Sequence, residues 1–194
     1  MIKRTIDVMG AIFGLVVLAP VTAAVAIAVR LSLGPPVIFR QLRAGRDGVP
    51  FTLYKFRTMT NAPEASDAER LTRLGKFLRH SSLDELPQFW NVLRGEMSLV
   101  GPRPLLPEYT DLYTPTQARR LEVRPGVTSL VAVKGRNAVS WDRQLELDAW
   151  YVANRTLLLD LKILALTVLK VLKREGITQA GHATRDSFRG ADSV

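Results

Sequence analysis

The pattern of hydrophobic and polar positions begins with a long apolar segment. Residues 8–29 contain no charged side chain. At about 1.5 Å rise per residue, a helix of this length could cross a ~30 Å hydrocarbon core. Pro20 lies near its middle, where proline removes a helix hydrogen bond and bends the axis. Basic residues flank both ends, with Lys3 and Arg4 before the segment and Arg30, Arg40, Arg43 and Arg46 after it.

These two basic flanks decide between topologies. Short basic flanks favour the cytoplasmic side of a membrane, so a straight span would leave one cluster on the wrong side. A helix that enters the membrane, bends at Pro20 and leaves on the same face accommodates both clusters. We therefore predict a re-entrant membrane helix over residues 1–34. The alternatives are a straight span with a mild kink and a cleaved signal peptide that begins with Lys3 and Arg4.

The next part of the chain predicts a β-hairpin. Gly34-Pro35-Pro36 ends the first helix, and short apolar runs follow at residues 37–39 and 51–54. The stretch between these runs carries residues that favour turns, namely Gly45, Asp47 and Gly48.

The remaining pattern is mainly helical. Helices are predicted over residues 68–79, from 81–87 to a stop at Gly95, from Thr114 to Leu121, over 141–152 and over 155–174. Thr114-Pro-Thr-Gln117 forms a capping-box pattern, and Ser140 is placed to cap the next helix. The last helix is apolar with a basic side, which suits either a membrane interface or a core position. We expect an α+β, mainly helical monotopic protein, with a small cytoplasmic domain at residues 35–176 and a polar tail at 177–194.

Charge and composition narrow the partners. The net charge is +9, and residues 1–60 supply six of these charges. Nucleic acid could use such a charge, but its position beside the apolar segment favours membrane lipid headgroups, so we expect no nucleic-acid partner. The chain has no cysteine and two histidines. Any catalytic metal is therefore expected to be a hard ion held by carboxylates and phosphate, with Mg²⁺ the first candidate.

Candidate chemistry gathers first around two carboxylates. Asp84 and Glu85 are predicted to lie at or just before a helix N-terminus, where partial positive charge favours ionised carboxylate and phosphate. An ionised Asp is a competent nucleophile toward phosphorus. Arg79, five residues upstream of Asp84, could hold a phosphate oxygen. On spacing alone, Ser82-x-x-Glu85 also fits a simple capping box.

Three further groups could bind phosphate or nucleotide. Lys55 and Arg57 follow a predicted strand, where they suit either phosphate or a solvated strand end. Gly-Pro-Arg-Pro at residues 101–104 presents Arg103 rigidly, as bidentate phosphate recognition requires, unless Arg103 only pairs with Glu96 or Glu108. The small, basic and amide groups of residues 134–137, followed by Trp141, form either a nucleotide pocket or a simple turn.

These groups occur in an order that resembles the small monotopic phosphoglycosyl transferases, or bacterial sugar transferases. The most specific resemblance is SLDELPQFWNVLRGEMSLVGPRP at residues 82–104, and the similarity extends over residues 3–188. KFRTM at residues 55–59, Arg136-Asn137 and Asp160 also match that family's motifs. The family's re-entrant helix is often broken at Ser-Pro, and this chain has Ala19-Pro20 there.

The resemblance implies a mechanism and a place in the cell. Asp84 would attack the β-phosphate of a UDP-sugar, release UMP and form a phosphosugar-aspartyl intermediate. A polyprenyl phosphate, such as undecaprenyl phosphate, would then take the sugar phosphate, the first membrane step of glycoconjugate or polysaccharide assembly. Glu85 would assist near Mg²⁺ or handle the acceptor's protonation. The enzyme would act at the cytoplasmic face of a bacterial inner membrane. The resemblance assigns the binding of phosphate, nucleotide or sugar to Lys55, Arg57, Arg79, Arg103, Arg136, Asn137 and Asp160. Asp160 would orient a basic neighbour or support the metal site.

One stretch departs from the family pattern. The family commonly has GITGWAQVNGRN where this chain has GVTSLVAVKGRN at residues 126–137. If the stretch shapes the sugar or uridine pocket, donor preference is expected to be unusual. The alternative function is a non-catalytic, membrane-tethered module that binds anionic lipid or an assembly partner, which leaves the Asp-Glu pair unexplained.

Overall fold

The computed structural model describes residues 2–62, 64–135, 139–173, 187, 188 and 190. Arg136 and Asn137, two predicted binding residues, lie outside the described residues, as does most of the predicted tail at 177–194. The described residues are mainly helical and include two small two-stranded sheets. This agrees with the predicted α+β class.

The apolar N-terminal segment is two helices and not one. Helix α1 (Ile2–Val17) and helix α2 (Ala19–Leu33) meet at Leu18 with a bend of 63°. Pro20 is the second residue of α2, where its missing N–H costs little because the first turn of a helix has unpaired donors anyway. The helix hydrogen bonds on either side continue, from Leu18 N to the Gly14 carbonyl (2.9 Å) and from Thr22 N to the Leu18 carbonyl (2.8 Å).

The predicted bend near Pro20 is therefore present, and it divides the apolar segment into two helices. Among the described residues, no helix taken singly has the length and apolar character needed to cross a membrane, although α1 and α2 taken together do.

The hairpin is longer than the apolar runs indicated. Strand β1 (Ile38–Ala44) pairs antiparallel with strand β2 (Pro50–Phe56), with Ile38 opposite Phe56 and Ala44 opposite Pro50. A 3₁₀ turn (Arg46–Gly48) joins the strands, and Asp47 and Gly48 both adopt positive φ there. Arg40 of β1 is exposed to solvent, whereas Lys55 follows buried Phe51 and Leu53 on one face of β2 and is paired with Glu85.

The helix predicted over residues 68–79 is interrupted. Helix α3 (Asp67–Arg70) ends where Leu71 forms a β-bridge with Met59, and helix α4 (Arg73–Ser81) starts afresh after Thr72, whose hydroxyl caps Gly75 N at 2.9 Å. Gly75 lies so close to the Thr58 backbone that a Cβ would meet the Thr58 carbonyl oxygen at 2.0 Å. Only glycine lets α4 pack this closely against the segment that follows β2.

A second, two-stranded sheet joins two segments that lie far apart in the sequence. Strand β3 (Ser98–Val100) lies between helix α5 (Gln88–Arg94) and residues 101–104, and it pairs parallel with strand β4 (Gly126–Thr128). A 3₁₀ turn (Pro107–Leu112), helix α6 (Pro115–Ala118) and a 3₁₀ turn (Arg119–Glu122) connect them. The predicted capping box forms at Thr114 and Gln117, so that prediction is confirmed.

The C-terminal helices complete the domain. After helix α7 (Leu130–Lys134), helix α8 (Trp141–Asn154) begins at Ser140, whose side chain caps it as predicted. Helix α9 (Leu157–Lys173) buries Ile163 in the main core and leaves a row of aliphatic side chains exposed. The main core joins α1, β2, α5, α8 and α9 through Ala11, Leu53, Val92, Tyr151 and Ile163.

Candidate active site

Asp84 and Glu85 lie in a 3₁₀ turn (Leu83–Glu85) between α4 and α5. Ser82 adopts a left-handed conformation (φ 56°) that ends α4, and its side chain makes no capping bond to this turn. The capping-box interpretation of Ser82 and Glu85 is therefore wrong. The prediction that both carboxylates directly precede a helix is confirmed, because α5 begins at Gln88.

Two cations converge on one oxygen of Glu85. Lys55 Nζ, from β2, lies 2.7 Å from Oε1 of Glu85, and Arg103 Nη2 donates to the same oxygen at 3.1 Å. Burial by itself would raise the pKa of Glu85, but the charges of Lys55 and Arg103 outweigh it and lower the pKa to about 2. Glu85 is therefore ionised across the physiological pH range, and its Oε1 binds both cations.

Asp84 has the opposite electrostatic position. Its side chain is nearly enclosed, with a residue exposure of 7%. Burial raises the pKa of Asp84 to about 6, assisted by the negative charge of Glu85 and opposed by Lys55, Arg79 and Arg103. Within the part of the chain that the structure describes, no group donates a hydrogen bond to the Asp84 carboxylate. Asp84 is thus an ionised but weakly solvated carboxylate near neutral pH, which makes it the more reactive of the pair.

Arg103 is held by its backbone as well as by Glu85. Arg120 Nη2 donates to the Arg103 carbonyl at 2.7 Å, and Arg43 Nη1 donates to the Pro104 carbonyl at 3.3 Å. Arg120 is itself paired with Asp148 at 2.8 Å in the protein interior. This support was not predicted, because Arg120 and Asp148 belong to no short motif in the sequence.

The alternative prediction, that Arg103 pairs with Glu96 or Glu108, is wrong, because Arg103 pairs with Glu85. Glu96 instead pairs with Arg94 at 3.1 Å and accepts a hydrogen bond from Asn91 at 2.7 Å.

Arg79 lies near the same carboxylates. Its Nε donates to the Thr58 hydroxyl at 3.1 Å, and its charge is among those that lower the pKa of Asp84. Burial lowers the pKa of Arg79, while Asp84 and Asp67 act in the opposite direction.

Arg57 takes a different position from the one expected. Its side chain is buried and its guanidinium donates to the carbonyls of Leu33, Gly34 and Pro35, at and just beyond the end of α2. A cation there stabilises the unpaired carbonyls and negative end of a helix. Because both terminal nitrogens are occupied, the structure gives Arg57 a structural role in place of the predicted phosphate contact.

Asp160 is tied to the N-terminal helix. Its Oδ2 accepts from Lys3 Nζ at 2.6 Å, and its Oδ1 accepts from the Tyr151 hydroxyl at 2.6 Å. Arg4 adds donations to the carbonyls of Val92 (2.7 Å) and Leu93 (3.0 Å). The basic start of α1 is thereby attached to the domain, so Asp160 orients a basic neighbour, which is one of the two roles that the resemblance allowed.

The departing stretch at residues 126–137 is described as far as Gly135. Ser129 caps α7 through the Ala132 N–H at 3.0 Å, and Leu130 is buried in the core. Trp141, expected near a nucleotide, packs against Tyr109 and Phe188 with ring centroids 5.8 Å and 5.5 Å away. This aromatic cluster gives Trp141 a packing role.

A surface cavity lies beside Glu85 and combines the cationic groups with part of the departing stretch. Its lining consists of Arg43, Leu53, Lys55, Glu85, Gln88, Arg103, Pro104, Gly126 and Val127. Burial and the neighbouring charge of Arg103 lower the pKa of Arg43 to about 10, so the cavity stays cationic at neutral pH. Such a cavity suits a phosphate-containing ligand.

A metal would have few protein ligands here. Among the described residues, no group of three or more His, Asp or Glu side chains is placed to hold a metal ion. Mg²⁺ commonly binds through one or two carboxylates together with substrate phosphates and water. The Asp84 carboxylate, which receives no hydrogen bond from the described part of the chain, fits such a site; Glu85 Oε1 is already shared by two cations.

The chain is similar to known sugar transferases. Residues 1–174 match the family model described as bacterial sugar transferase. An uncharacterized sugar transferase of Bacillus subtilis is 51% identical over 198 residues, which covers 100% of this chain and 98% of the relative. A UDP-glucose:undecaprenyl-phosphate glucose-1-phosphate transferase of Caulobacter vibrioides is 40% identical over 185 residues, covering 88% of this chain and 69% of the relative.

Other relatives are much longer. A galactosyl transferase of Streptococcus agalactiae is 39% identical over 193 residues, which cover 90% of this chain but 43% of the relative. The chain therefore spans less than half the length of that relative. The matched region includes the Asp84–Glu85 turn and the cavity beside it. The chain belongs to the bacterial sugar transferase family, and its enzyme class is that of the phosphoglycosyl transferases.

Proposed function

We propose that this protein transfers a sugar 1-phosphate from a UDP-sugar to a polyprenyl phosphate, with Asp84 as the covalent nucleophile. The observation that carries the proposal is the division of roles between two adjacent carboxylates, since Glu85 holds Lys55 and Arg103 while Asp84 is left without a donor among the described residues. The names of several relatives, which specify undecaprenyl phosphate and glucose or galactose, support the substrate classes.

In the first step, an oxygen of Asp84 attacks the β-phosphorus of the UDP-sugar. The bond between that phosphorus and the oxygen bridging to the α-phosphate breaks, and UMP leaves with the bonding electrons. The charges of Lys55, Arg79 and Arg103 act on the Asp84 carboxylate and would offset the charge on the phosphate oxygens, which is the main electrostatic demand of phosphoryl transfer.

In the second step, a phosphate oxygen of the polyprenyl phosphate attacks the phosphorus held on Asp84. The Asp84 O–P bond breaks, which restores the carboxylate and produces a polyprenyl diphosphate sugar. No net proton transfer is needed if the acceptor phosphate arrives as the dianion. Glu85, with its pKa near 2, is suited to hold the two cations in place and not to carry a proton.

Mg²⁺ would be held by Asp84 together with the diphosphate of the donor. It would supply further neutralisation of phosphate charge. Lys55 and Arg103 would orient the diphosphate from the cavity side, and Arg79 from the side of α4.

We further propose that α1 and α2 form a re-entrant membrane helix, with the domain at the cytoplasmic face of the bacterial inner membrane. The 63° bend, the basic flanks and the attachment of Lys3 and Arg4 to the domain support a helix that returns to its own side. Exposed apolar side chains elsewhere suit contact with lipid, among them Phe77, Trp90, Trp150, Leu158 and Leu161. This placement would bring a lipid-bound acceptor to Asp84.

The test is UMP release by the full chain in detergent with Mg²⁺, undecaprenyl phosphate and either UDP-glucose or UDP-galactose. Asp84→Asn should lower release by roughly a thousandfold or more, because an amide cannot act as the nucleophile. Asp111→Asn, an exposed residue, is the matched control and should retain the normal rate. Intact-mass measurement without acceptor should detect an adduct of one sugar phosphate on the wild type alone.

Retained activity in Asp84→Asn would refute the covalent mechanism. No release from any of a wide panel of UDP-sugars would favour the non-catalytic membrane-tethered module instead.

A further inference from the structure

Gln88 is a buried amide whose hydrogen-bonding groups are not used by the protein. It is the first residue of α5, four positions after Asp84, and its exposure is 3%. It lines the cavity that also contains Lys55, Glu85 and Arg103. Within the described parts of the chain, its side-chain amide neither donates nor accepts a hydrogen bond.

The next buried amide on the same helix shows what a structural amide does here. Asn91 donates from Nδ2 to the Thr52 carbonyl and to Glu96 Oε2, both at 2.7 Å, and its Oδ1 accepts from Tyr54 N at 3.2 Å. Asn91 is therefore satisfied within the fold. The amide atoms of Gln88 are not among the fully enclosed polar atoms without a partner, so solvent or a ligand can reach them from the cavity. A bound molecule in the cavity would supply the partner that Gln88 lacks.

The chemistry of the amide indicates which part of a donor it would meet. Lys55 and Arg103 are cations, which match the acceptor-only oxygens of a diphosphate. A glutamine amide both donates and accepts, which matches a hydroxyl group. The sugar is the hydroxyl-bearing part bonded directly to the phosphate that Asp84 attacks, and Gln88 lies only four residues from Asp84.

We propose that the Gln88 amide binds a hydroxyl group of the sugar in the UDP-sugar donor, from the wall of the cavity beside Glu85. This inference rests on the proposed function and deepens it, because it assigns the sugar end of the donor to a defined side chain. Val127, from the stretch that departs from the family pattern, lines the same cavity and would lie near the same sugar.

The experiment compares binding of a UDP-sugar with binding of UDP, using calorimetry on the full chain in detergent. The Asp84→Asn protein serves as the parent, so that no donor is consumed. The UDP-sugar is one that supports UMP release by the wild type. Gln88→Met is then added to this parent, because methionine has a similar size and no amide. The double variant should bind the UDP-sugar about fivefold to tenfold more weakly than the parent does. The affinity for UDP should stay within about twofold, which also shows that the site is folded.

Donors lacking single hydroxyls sharpen the assignment. For one deoxy-sugar donor, removal of the hydroxyl should weaken binding to the parent but not to the Gln88→Met protein, as expected for two groups in contact. Gln117→Met, the same chemical change in the capping box of α6, is the matched control and should change the affinity for neither UDP nor the UDP-sugar.

Equal weakening of UDP and UDP-sugar would overturn the inference, since it would place Gln88 on the nucleotide or phosphates. Unchanged binding of both ligands would overturn it as well. If no UDP-sugar supports UMP release by the wild type, the proposed function fails first and the sugar assignment fails with it. Release by the wild type together with unchanged binding in Gln88→Met separates failure of this inference from failure of the function.

Discussion

Lys55 Nζ lies 2.7 Å from Oε1 of Glu85, although thirty positions separate the two residues along the chain. The pair joins β2 to the turn before α5 and places a cation next to both carboxylates. Glu85 thereby keeps its charge at low pH, while the pKa of buried Asp84 is about 6. This difference in pKa between the two neighbouring carboxylates leads to the first prediction.

The rate of the first step should depend on pH through Asp84. Attack requires the ionised carboxylate, so single-turnover UMP release without acceptor should rise with pH up to about 6 and then level off. Below that pH the rate should fall about tenfold per unit, because only the ionised fraction reacts. Rapid-quench measurements between pH 4.5 and 8 would test this profile.

Lys55→Met should move that profile toward higher pH. The Lys55 charge stabilises ionised Asp84, so its removal raises the pKa of Asp84 further. Lys76→Met, an exposed lysine on α4, should leave the profile in place. An unchanged profile in Lys55→Met would mean that another group controls the acid limb.

Asp84→Asn should be more stable than the wild type at pH 7. Burial raises the folded-state pKa of Asp84 above its unfolded value of 3.8, so ionisation of Asp84 opposes folding once the pH exceeds 3.8. Between pH 3.8 and about 6 this penalty grows, and above about 6 it is complete. Removing the charge should therefore raise the free energy of unfolding by about 1–3 kcal/mol.

Thermal unfolding in detergent at pH 4 and pH 7 would measure this gain. The stabilisation should be present at pH 7 and nearly absent at pH 4, where Asp84 is protonated in the folded protein. Asp111→Asn should not show this pattern. Destabilisation of Asp84→Asn at pH 7 would contradict the prediction and would also weaken any conclusion drawn from its lost activity.

Arg103→Lys should lower UMP release by about tenfold or more, with little change in stability. A lysine keeps the charge but lacks the planar guanidinium that can donate hydrogen bonds to two phosphate oxygens at once. Arg119→Lys is a close match, since the side chains of Arg103 and Arg119 are 47% and 46% exposed and each pairs with one glutamate. Near-normal rates for both variants would show that Arg103 only tethers Glu85.

The buried pair of Arg120 and Asp148 should control activity through Arg103. Asp148→Asn leaves a buried guanidinium without its counter-charge and should cost about 3–5 kcal/mol. The double change Arg120→Met with Asp148→Leu replaces the pair by apolar groups of similar size and should recover most of that loss.

The double variant should nevertheless release UMP more slowly, because the Arg103 carbonyl loses its donor at 2.7 Å. Unfolding midpoints and UMP release would be measured on the same samples. Full activity in a stable double variant would show that Arg120 does not position Arg103.

Pro20→Ala should reduce the bend between α1 and α2. Alanine restores the N–H that proline lacks and removes the clash of its ring with the preceding turn. The chain has no cysteine, so single cysteines at Ile2 and Ser32 can be labelled with an impermeant maleimide in sealed vesicles of either orientation. With the native Pro20, both positions should react from the same side. In Pro20→Ala, the cysteine of Ile2→Cys should react from the other side in a fraction of the molecules.

If both positions of Pro20→Ala remain on one side, the attachment of Lys3 to Asp160 and of Arg4 to α5 is sufficient to hold α1. If the wild type places them on opposite sides, the re-entrant proposal is refuted.

Local features of the fold could be predicted from the sequence. Pro20, the turn around Asp47 and the caps at Thr114 and Ser140 act through neighbours a few residues away, and each is found where its pattern indicated. The interruption at Leu71 was missed because it depends on a bridge to Met59 and on the close approach of Gly75 to Thr58, which no local pattern reveals.

The features of the site can likewise be separated into those that the sequence predicted and those that tertiary packing decided. Sequence placed Asp84 and Glu85 on one turn and indicated cations near them, because the motif at residues 82–104 is contiguous. Sequence by itself therefore determined the family, the bend, the hairpin and the pair of carboxylates. Tertiary packing alone decided that Glu85 binds Lys55 and Arg103, that Arg57 stabilises the end of α2, that Asp160 binds Lys3, and that Gln88 faces a cavity. Each of those outcomes depends on which distant segments meet, and on how burial then changes the charge that each group can carry.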